Sequence, residues 1–293
     1  MKGLSELPEA FPPEFVAMLE RILRSGDRIW GARVETARAL RMQIAQSGVF
    51  TGHRPYFPGD DPRWIDWNAC ARNGGLYVKL LEEEQQRGAC IVFETSPRMH
   101  AGSPPRRTGA LRLAAILGGL ALRQIDTLRV VGGSSSRELH GRSGPDALLD
   151  ALRALPVELA DPLRIARDLS RRGDPGRILW ISDFAEPASF EPALRMLRSR
   201  NHRVVGWLPA IEEDRRVRRR GLSRLLDPDD GREITASIDD ELAAAMEEQL
   251  RALARQQDSA FAECGYALER FPVPPLDDFR ISSWLGAAWS YRS

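Results

Sequence analysis

Three short apolar runs, separated by stretches with helical periodicity, constrain the fold of this chain more than any other feature. The runs cover residues 89–93, 177–182 and 202–208, and each is typical of a parallel strand that is buried on both faces. Between them the sequence predicts strands at 127–131 and 138–140 and helices at 109–123, 147–155, 162–170 and 190–198. Strands that alternate with helices indicate an α/β fold with a mostly parallel, doubly wound sheet and right-handed crossovers.

The segments on either side of this core carry their own signals. An amphipathic helix is predicted at residues 14–23 and is expected to pack against the body, whereas residues 28–45 fit either a second helix or a twisted strand. Towards the C-terminus the predicted elements are a hairpin at 222–226 and 232–236, a helix at 239–264 with Gly265 after it, a strand at 266–271 and a helix at 277–285.

Residues 47–86 are rich in turn residues and predict strands and loops rather than helix. Within them, carboxylates and arginines alternate with two tryptophans that are expected to fill core. The favoured interpretation is a structural corner, because the neighbouring arginines would satisfy the carboxylates without an ion. The alternative is a Mg²⁺-dependent hydrolase that uses the three carboxylates. The carboxylates are Asp60, Asp61 and Asp66, the arginines are Arg54, Arg63 and Arg72, and the tryptophans are Trp64 and Trp67.

Charge and cysteine content exclude several classes of protein. A formal net charge of +1 argues against a dedicated nucleic-acid binder. The three cysteines have no metal-ligand spacing and fit a reducing compartment, and neither a signal peptide nor an apolar run long enough for a membrane span is evident. We therefore expect a cytoplasmic protein. A local basic run is interpreted as a solvated loop, with a docking patch for an acidic partner or a membrane surface as alternatives; it contains Arg215, Arg216, Arg218, Arg219 and Arg220.

A long ordered string in the turn-rich region resembles the signature of domain-of-unknown-function family fifty-eight, whose members are von Willebrand A-like and often found beside MoxR-type AAA+ ATPases. Two later landmarks follow in the family's order, at residues 181–184 and 226–231. The patterns above predict an N-terminal helical segment at 1–46 and a β-rich attachment at 47–88, and the resemblance, which begins near Gly48, implies a von Willebrand A-like domain at 89–293. The string contains Arg54, Pro55, Tyr56, Pro58, Gly59, Asp60, Asp61, Arg63, Ile65, Asp66, Trp67, Ala71, Arg72, Leu76, Tyr77, Val78 and Lys79.

The candidate site lies where two predicted strands end. Glu94 follows the first apolar run and Asp183 follows the second, and ligands of open parallel sheets bind outside the carboxyl ends of the strands. The resemblance implies a divalent ion here, held by an Asp-x-Ser-x-Ser turn, a Thr and a later Asp. In this chain Ser96 and Asp183 match, whereas Glu94 replaces the first Asp and Arg98 replaces the second Ser.

These replacements predict a degenerate metal-ion-dependent adhesion site. We expect Arg98 to neutralise Glu94 and Asp183 as an internal ion pair in place of the metal, since an arginine brings a permanent positive charge and no acceptor. If Arg98 instead pointed away from the crevice, Glu94, Ser96 and Asp183 would still be able to hold Mg²⁺ with waters. Otherwise no cofactor is expected.

No catalytic group is predicted. The four histidines, His53, His100, His140 and His202, are scattered, and the Gly-Gly-Ser-Ser-Ser turn at 132–136 lacks the lysine and spacing of a phosphate loop. The resemblance implies a non-enzymatic adaptor that works with a MoxR-type AAA+ ATPase, another von Willebrand A-like protein or a client complex during maturation or metal insertion. Maturation of methanol dehydrogenase is a narrower alternative.

Overall fold

The computed structural model describes residues 10–25, 48–57, 65–83, 88–123, 125, 127–141, 143–171 and 176–273. They divide into two units, one within Ser25–Gln86 and a larger one formed from Met1–Arg24 and Arg87–Ser293. The predictions for 28–45 and for a helix at 277–285 fall outside the described residues.

The described elements follow the predicted order closely. The helices are α1 (Pro13–Ser25), α2 (Trp67–Asn73), α3 (Arg106–Leu122), α4 (Pro145–Arg153), α5 (Pro162–Ser170), α6 (Pro187–Ser199) and α7 (Asp240–Glu263). The strands are β1 (Gly48–Pro55), β2 (Tyr77–Glu83), β3 (Gly88–Phe93), β4 (Thr127–Gly132), β5 (Ser135–His140), β6 (Arg177–Ile181), β7 (Arg203–Ala210), β8 (Gly221–Leu226), β9 (Glu233–Ile238) and β10 (Ala267–Pro272).

A six-stranded sheet forms the centre of the larger unit, in the order β10-β7-β6-β3-β4-β5. Its strand pairs are parallel except for β4 and β5, which form an antiparallel hairpin at one edge. The prediction of an α/β protein with a mostly parallel sheet is therefore confirmed. The apolar run of β3 lies at the centre of the sheet, where Ile91, Val92 and Phe93 are buried.

Helices cover both faces of this sheet. On one face, side chains of β3 and β6 pack with α5, α6 and α7 in a single apolar cluster that includes Trp180, Phe190 and Phe261. Close packing of α7 requires Gly206 in β7, because a Cβ atom there would lie 2.4 Å from Cε1 of Phe261. Side chains of α3 and α4 cover the opposite face.

Within the larger unit the N-terminal helix packs against the helices that cover the sheet, as predicted. Nε of Arg112, on α3, donates to the carbonyl of Ala10 at 2.6 Å, and its guanidinium lies 5.5 Å from the ring centroid of Phe15. Arg153, on α4, lies 5.4 Å from the ring centroid of Phe11. The buried Arg112 and the exposed Arg153 thus join the N-terminal segment to α3 and α4 by cation–π contacts.

The smaller unit contains a hairpin and a short helix. Strands β1 and β2 pair antiparallel, and α2 lies between them in the chain. Helix α2 corrects the prediction that this region contains only strands and loops. It forms because Asp66 caps its N-terminus, accepting from the amides of Asn68 at 3.0 Å and Ala69 at 3.1 Å, and Gly74 ends it at φ +70°.

The prediction that Trp67 fills the core of this unit is wrong. Trp67 is the first residue of α2, and its side chain is 67% exposed, while Ala69 is buried instead. The helical period directs Trp67 outward once Asp66 acts as the cap. The remaining residues of the turn, among them Gly59, Asp60, Asp61, Arg63 and Trp64, lie outside the described residues.

Candidate functional site

The polar crevice begins where β3 and β6 end side by side. The amide of Glu94 donates to the carbonyl of Ile181 at 2.8 Å, so the loops after these two strands run together. Glu94, Thr95, Ser96 and Asp183 are all buried. The topology thus places Glu94, Ser96 and Asp183 at one sheet edge, where the parallel strand order puts them.

Glu94 is held as a buried carboxyl group. Its Oε1 accepts from the amide of Ser96 at 3.0 Å, and its Oε2 accepts from the hydroxyl of Ser182 at 3.5 Å. Burial is the main cause that raises the pKa of Glu94, and the charge of Asp183 adds to it. The amide of Ser96 and the charge of Arg98 oppose that rise without cancelling it.

Ser96 has an unused hydroxyl in this crevice. The residue is fully buried, and its Oγ makes no hydrogen bond of ordinary geometry with any described residue. The hydroxyl does lie close enough to Glu94 to oppose the rise in that residue's pKa. Ser96 is therefore available as a polar donor or acceptor within the crevice.

Arg98 points into the crevice and meets three carboxylates. Its Nε lies 2.7 Å from Oδ2 of Asp229 and 3.9 Å from Oδ2 of Asp183, and one terminal nitrogen lies 3.1 Å from Oε1 of Glu186. The Nε–H bond is not directed at Asp229, so that contact is an ion pair rather than a hydrogen bond. Burial alone would lower the pKa of Arg98, but the three carboxylates together raise it.

The partners of Arg98 differ from the expected ones. Asp183 is at the limit of an ion pair, and Arg98 forms none with Glu94, whose carboxylate is held by Ser96 and Ser182 instead. The closest partner is Asp229, which also accepts from the backbone amide of Arg98 at 3.2 Å. Only the fold reveals this contact, because 131 positions separate the two residues.

A buried glutamine fixes the other side of the crevice. Nε2 of Gln257, on α7, donates to the carbonyls of Asp183 at 2.9 Å and Phe184 at 3.1 Å, and its Oε1 accepts from Arg270 at 3.0 Å. Phe184 has φ +47°, a conformation that bulky residues rarely adopt. Its ring is packed against Phe190 and Phe261 at 5.0 and 4.9 Å, which holds this strained residue in place.

One protein family matches most of this chain. The family described as "Protein of unknown function DUF58" matches residues 52–258, which is more than half of the sequence. The chain belongs to this family. The resemblance in the turn-rich region is therefore confirmed at the level of the DUF58 family.

Individual relatives of the DUF58 chain are distant. It is 26% identical over 168 residues to uncharacterized proteins of Mycobacterium bovis (Mb1516) and Mycobacterium tuberculosis (Rv1480), covering 52% of this chain and 51% of each relative. The chain thus spans about half the length of the curated relatives that it matches.

Two solved structures share a weaker likeness with the DUF58 chain. BatB from Bacteroides thetaiotaomicron matches with a TM-score of 0.38 and 12% identity, over 69% of this chain and 98% of BatB. An aerotolerance-related membrane protein from Bacteroides fragilis matches with a TM-score of 0.35 and 14% identity, over 61% and 98% of the two chains. These scores are too low to support an argument about function.

The DUF58 crevice does not fit a divalent cation. Among the described residues, no group of three or more His, Cys, Asp or Glu side chains is arranged to hold a metal ion. The free hydroxyl of Ser96 would suit one, but the charge of Arg98 lies against Asp183 and opposes a second cation there. We therefore assign no role to a metal in this crevice.

The other predicted residues of the DUF58 signature hold the smaller unit together where they are described. The amide of Tyr56 donates to the carbonyl of Leu76 at 2.9 Å. Nε of Arg72 donates to the carbonyl of Asn68 at 3.2 Å, and a terminal nitrogen of Arg54 donates to the carbonyl of Pro55 at 3.2 Å. The Asp66 carboxylate is engaged by two helix amides. This use as a cap gives no support to the hydrolase alternative.

Two arginines of the basic run and one histidine make contacts within the protein. Arg218 pairs with Glu212 and Arg220 with Asp240, and Arg215, Arg216 and Arg219 are exposed beside them. His202 is buried, and its Nδ1 accepts from the amide of Gly176 at 3.1 Å. None of the described helices is long and apolar enough to cross a membrane.

Proposed function

We propose that this DUF58 protein is a non-enzymatic adaptor that docks to other proteins through the edge around Arg98. The observation that carries the proposal is the guanidinium of Arg98, held among Asp183, Glu186 and Asp229. A fixed internal cation leaves the crevice closed by an ion-pair network rather than open for a ligand ion. Such an edge can present a constant charge pattern to a partner.

The exposed part of the docking edge is acidic. Glu186 is 67% exposed, and the adjoining turn of the β8–β9 hairpin carries Asp227 and Asp230 at the surface. Arg98 is largely covered by its partners, with 23% of its side chain exposed. We therefore infer that the partner presents basic groups, since complementary charge sets specificity and association rate more than affinity.

The partner that we propose is a MoxR-type AAA+ ATPase, alone or with a client complex or another von Willebrand A-like protein. The partner is inferred from the resemblance of the signature string alone, and the mostly parallel sheet is compatible with the von Willebrand A-like fold that we propose. The adaptor would work in the cytoplasm during maturation or metal insertion of a complex. Methanol dehydrogenase is the narrower candidate for that complex.

Binding of the adaptor to a MoxR-type ATPase from the same genome would test this function. The informative variant is Glu186→Arg, and the matched control is Glu241→Arg, because both glutamates lie at the start of a helix but only Glu186 borders Arg98. We expect biolayer interferometry to show about tenfold weaker binding for Glu186→Arg alone, the loss of roughly one charge-assisted contact. Equal affinities for both variants would contradict docking at this edge.

A calorimetric titration separates the docking edge from a working metal site. We expect no heat when Mg²⁺ or Mn²⁺ is added to the wild type. The double variant Glu94→Asp with Arg98→Ser restores the ligands that the two replacements removed and should bind the ion. Binding by the wild type that is lost in Asp183→Ala would refute the ion-pair interpretation.

A further inference from the structure

A cleft lies on the sheet face beyond α5, at the β4–β5 edge. It has a volume of about 460 Å³. Arg129 and Val131 of β4 pair in register with Cys90 and Val92 of β3, which belong to the apolar cluster under α5. The cleft is therefore the place where this face of the sheet continues past its last covering helix. Its lining residues are Arg129, Val131, Gly133, Ser134, Ser135, Ser136, Arg164, Ile165, Asp168, Leu169 and Arg171.

The charges in the cleft are unbalanced. Three arginines line it against a single aspartate. Arg129 is paired with Glu138 across the hairpin, and Arg171 lies 3.9 Å from Asp168 in a pair that is mostly exposed. Arg164 forms no ion pair or hydrogen bond with any described residue. Arg164 is therefore the arginine of the lining that no described carboxylate neutralises, while the carboxylate of Glu158 is engaged at the neighbouring turn.

The turn between β4 and β5 adds serine hydroxyl groups to the cleft. Its amide donor at Ser134 is engaged by the carboxylate of Glu158, which fixes the turn at Gly133, where φ is +56°. The hydroxyls of Ser134, Ser135 and Ser136 have no hydrogen-bond partner among the described residues. Ser136 pairs with Val131 and shares the cleft face of the sheet, whereas Ser135 faces the other way, so the fold leaves the hydroxyls of Ser134 and Ser136 free for a ligand.

The topology brings Arg164 to the same end of the cleft as the serines. The turn follows the carboxyl end of β4, and α5 leads into β6, which runs parallel to β4 within the sheet. The first turn of α5, which contains Arg164, therefore lies towards the carboxyl edge. An arginine fork next to several hydroxyl donors matches the oxygens of a phosphoryl group.

We propose that this cleft binds a phosphoryl-bearing ligand through Arg164 and the hydroxyls of Ser134 and Ser136. The sequence of this turn lacks the lysine of a phosphate loop, and the cation comes from a different element, α5. Val131, Ile165 and Leu169 form an apolar floor. This site stands on its own observations and does not depend on the adaptor function.

The site is tested by isothermal titration calorimetry, in which inorganic pyrophosphate is added to the full chain. The variant is Arg164→Ala, and the matched control is Arg167→Ala, since Arg167 is exposed on the same helix but does not line the cleft. We expect saturable binding by the wild type and the control, and about tenfold weaker binding by Arg164→Ala. A double substitution of Ser134 and Ser136 to Ala should weaken binding further.

A phosphoserine hexapeptide and its unphosphorylated form identify the source of the phosphoryl group. Tighter binding of the phosphopeptide than of pyrophosphate would assign the site to a phosphorylated protein segment, and the reverse order would assign it to a small phosphate compound. Either order supports phosphoryl recognition provided that it depends on Arg164. The absence of saturable binding to both probes, or equal losses in Arg164→Ala and Arg167→Ala, would overturn the proposal.

Discussion

The ion pair between Arg98 and Asp229 is expected to fasten the β8–β9 hairpin to the carboxyl edge of the sheet. Three variants test this: Arg98→Met, Asp229→Asn and the double variant that combines them. Arg98→Met keeps much of the length of the side chain without its charge, and Asp229→Asn keeps an acceptor for the backbone amide of Arg98. The quantity of interest is the coupling free energy from the double-mutant cycle, which isolates the pair from the separate cost of each change.

The magnitude follows from distance and burial. At the 2.7 Å that separates Nε from Oδ2, Coulomb's law gives about 6 kcal/mol for an effective dielectric constant of 20. The cost of desolvation offsets most of this attraction, because only 23% of the Arg98 side chain and 15% of the Asp229 side chain remain exposed to water. The pair lies between exposed pairs, worth about 0.2–1 kcal/mol, and fully buried ones, so we expect a coupling of about 1–2 kcal/mol.

Urea denaturation monitored by circular dichroism provides the free energies of unfolding. Arg224 and Glu233 form an ion pair on the same hairpin with 69% and 41% of their side chains exposed, and they supply the matched control cycle. We expect a coupling of about 0.5 kcal/mol or less for that pair, as is usual at the surface. Equal couplings for the two pairs, or none for Arg98 and Asp229, would refute the argument that burial strengthens the contact at the crevice.

Three further predictions concern the crevice, the core and the smaller unit. Because burial raises the pKa of Glu94 above 4.5, the contribution of this residue to stability is fully present below that pH and is lost as the pH rises. Glu94→Gln should therefore raise the melting temperature at neutral pH and match the melting temperature of the wild type near pH 4.5. Identical pH profiles of the melting temperature for the two proteins would contradict this. Gly206→Ala should cost about 1–3 kcal/mol of unfolding free energy in urea, because the new Cβ would overlap Phe261, whereas the open position Gly144→Ala should cost far less. Asp66→Ala should cost about 1 kcal/mol by losing two cap hydrogen bonds, and Asp66→Asn should retain most of the stability in the same assay.

Local patterns in the sequence carried most of the information about the secondary structure. The apolar runs of β3, β6 and β7 and the helical periods between them indicated the alternating order, because strands buried on both faces have few polar residues. The same order indicated that Glu94 and Asp183 follow strands at one edge of the sheet. The sequence pattern does not reveal helix α2, because a seven-residue helix has too few turns for a clear period and Asp66 fits an ion pair with a neighbouring arginine as well as a helix cap.

The sequence by itself determined the α/β class, the family and the presence of acidic groups and an arginine at the edge of the sheet, since these depend on local pattern and residue type. The tertiary structure alone decided which charges meet. Asp229 reaches Arg98 only because the β8–β9 hairpin folds back over the edge, and Gln257 reaches the carbonyls of Asp183 and Phe184 only from α7. Contacts between positions so far apart depend on chain packing, for which a local sequence pattern carries no signal.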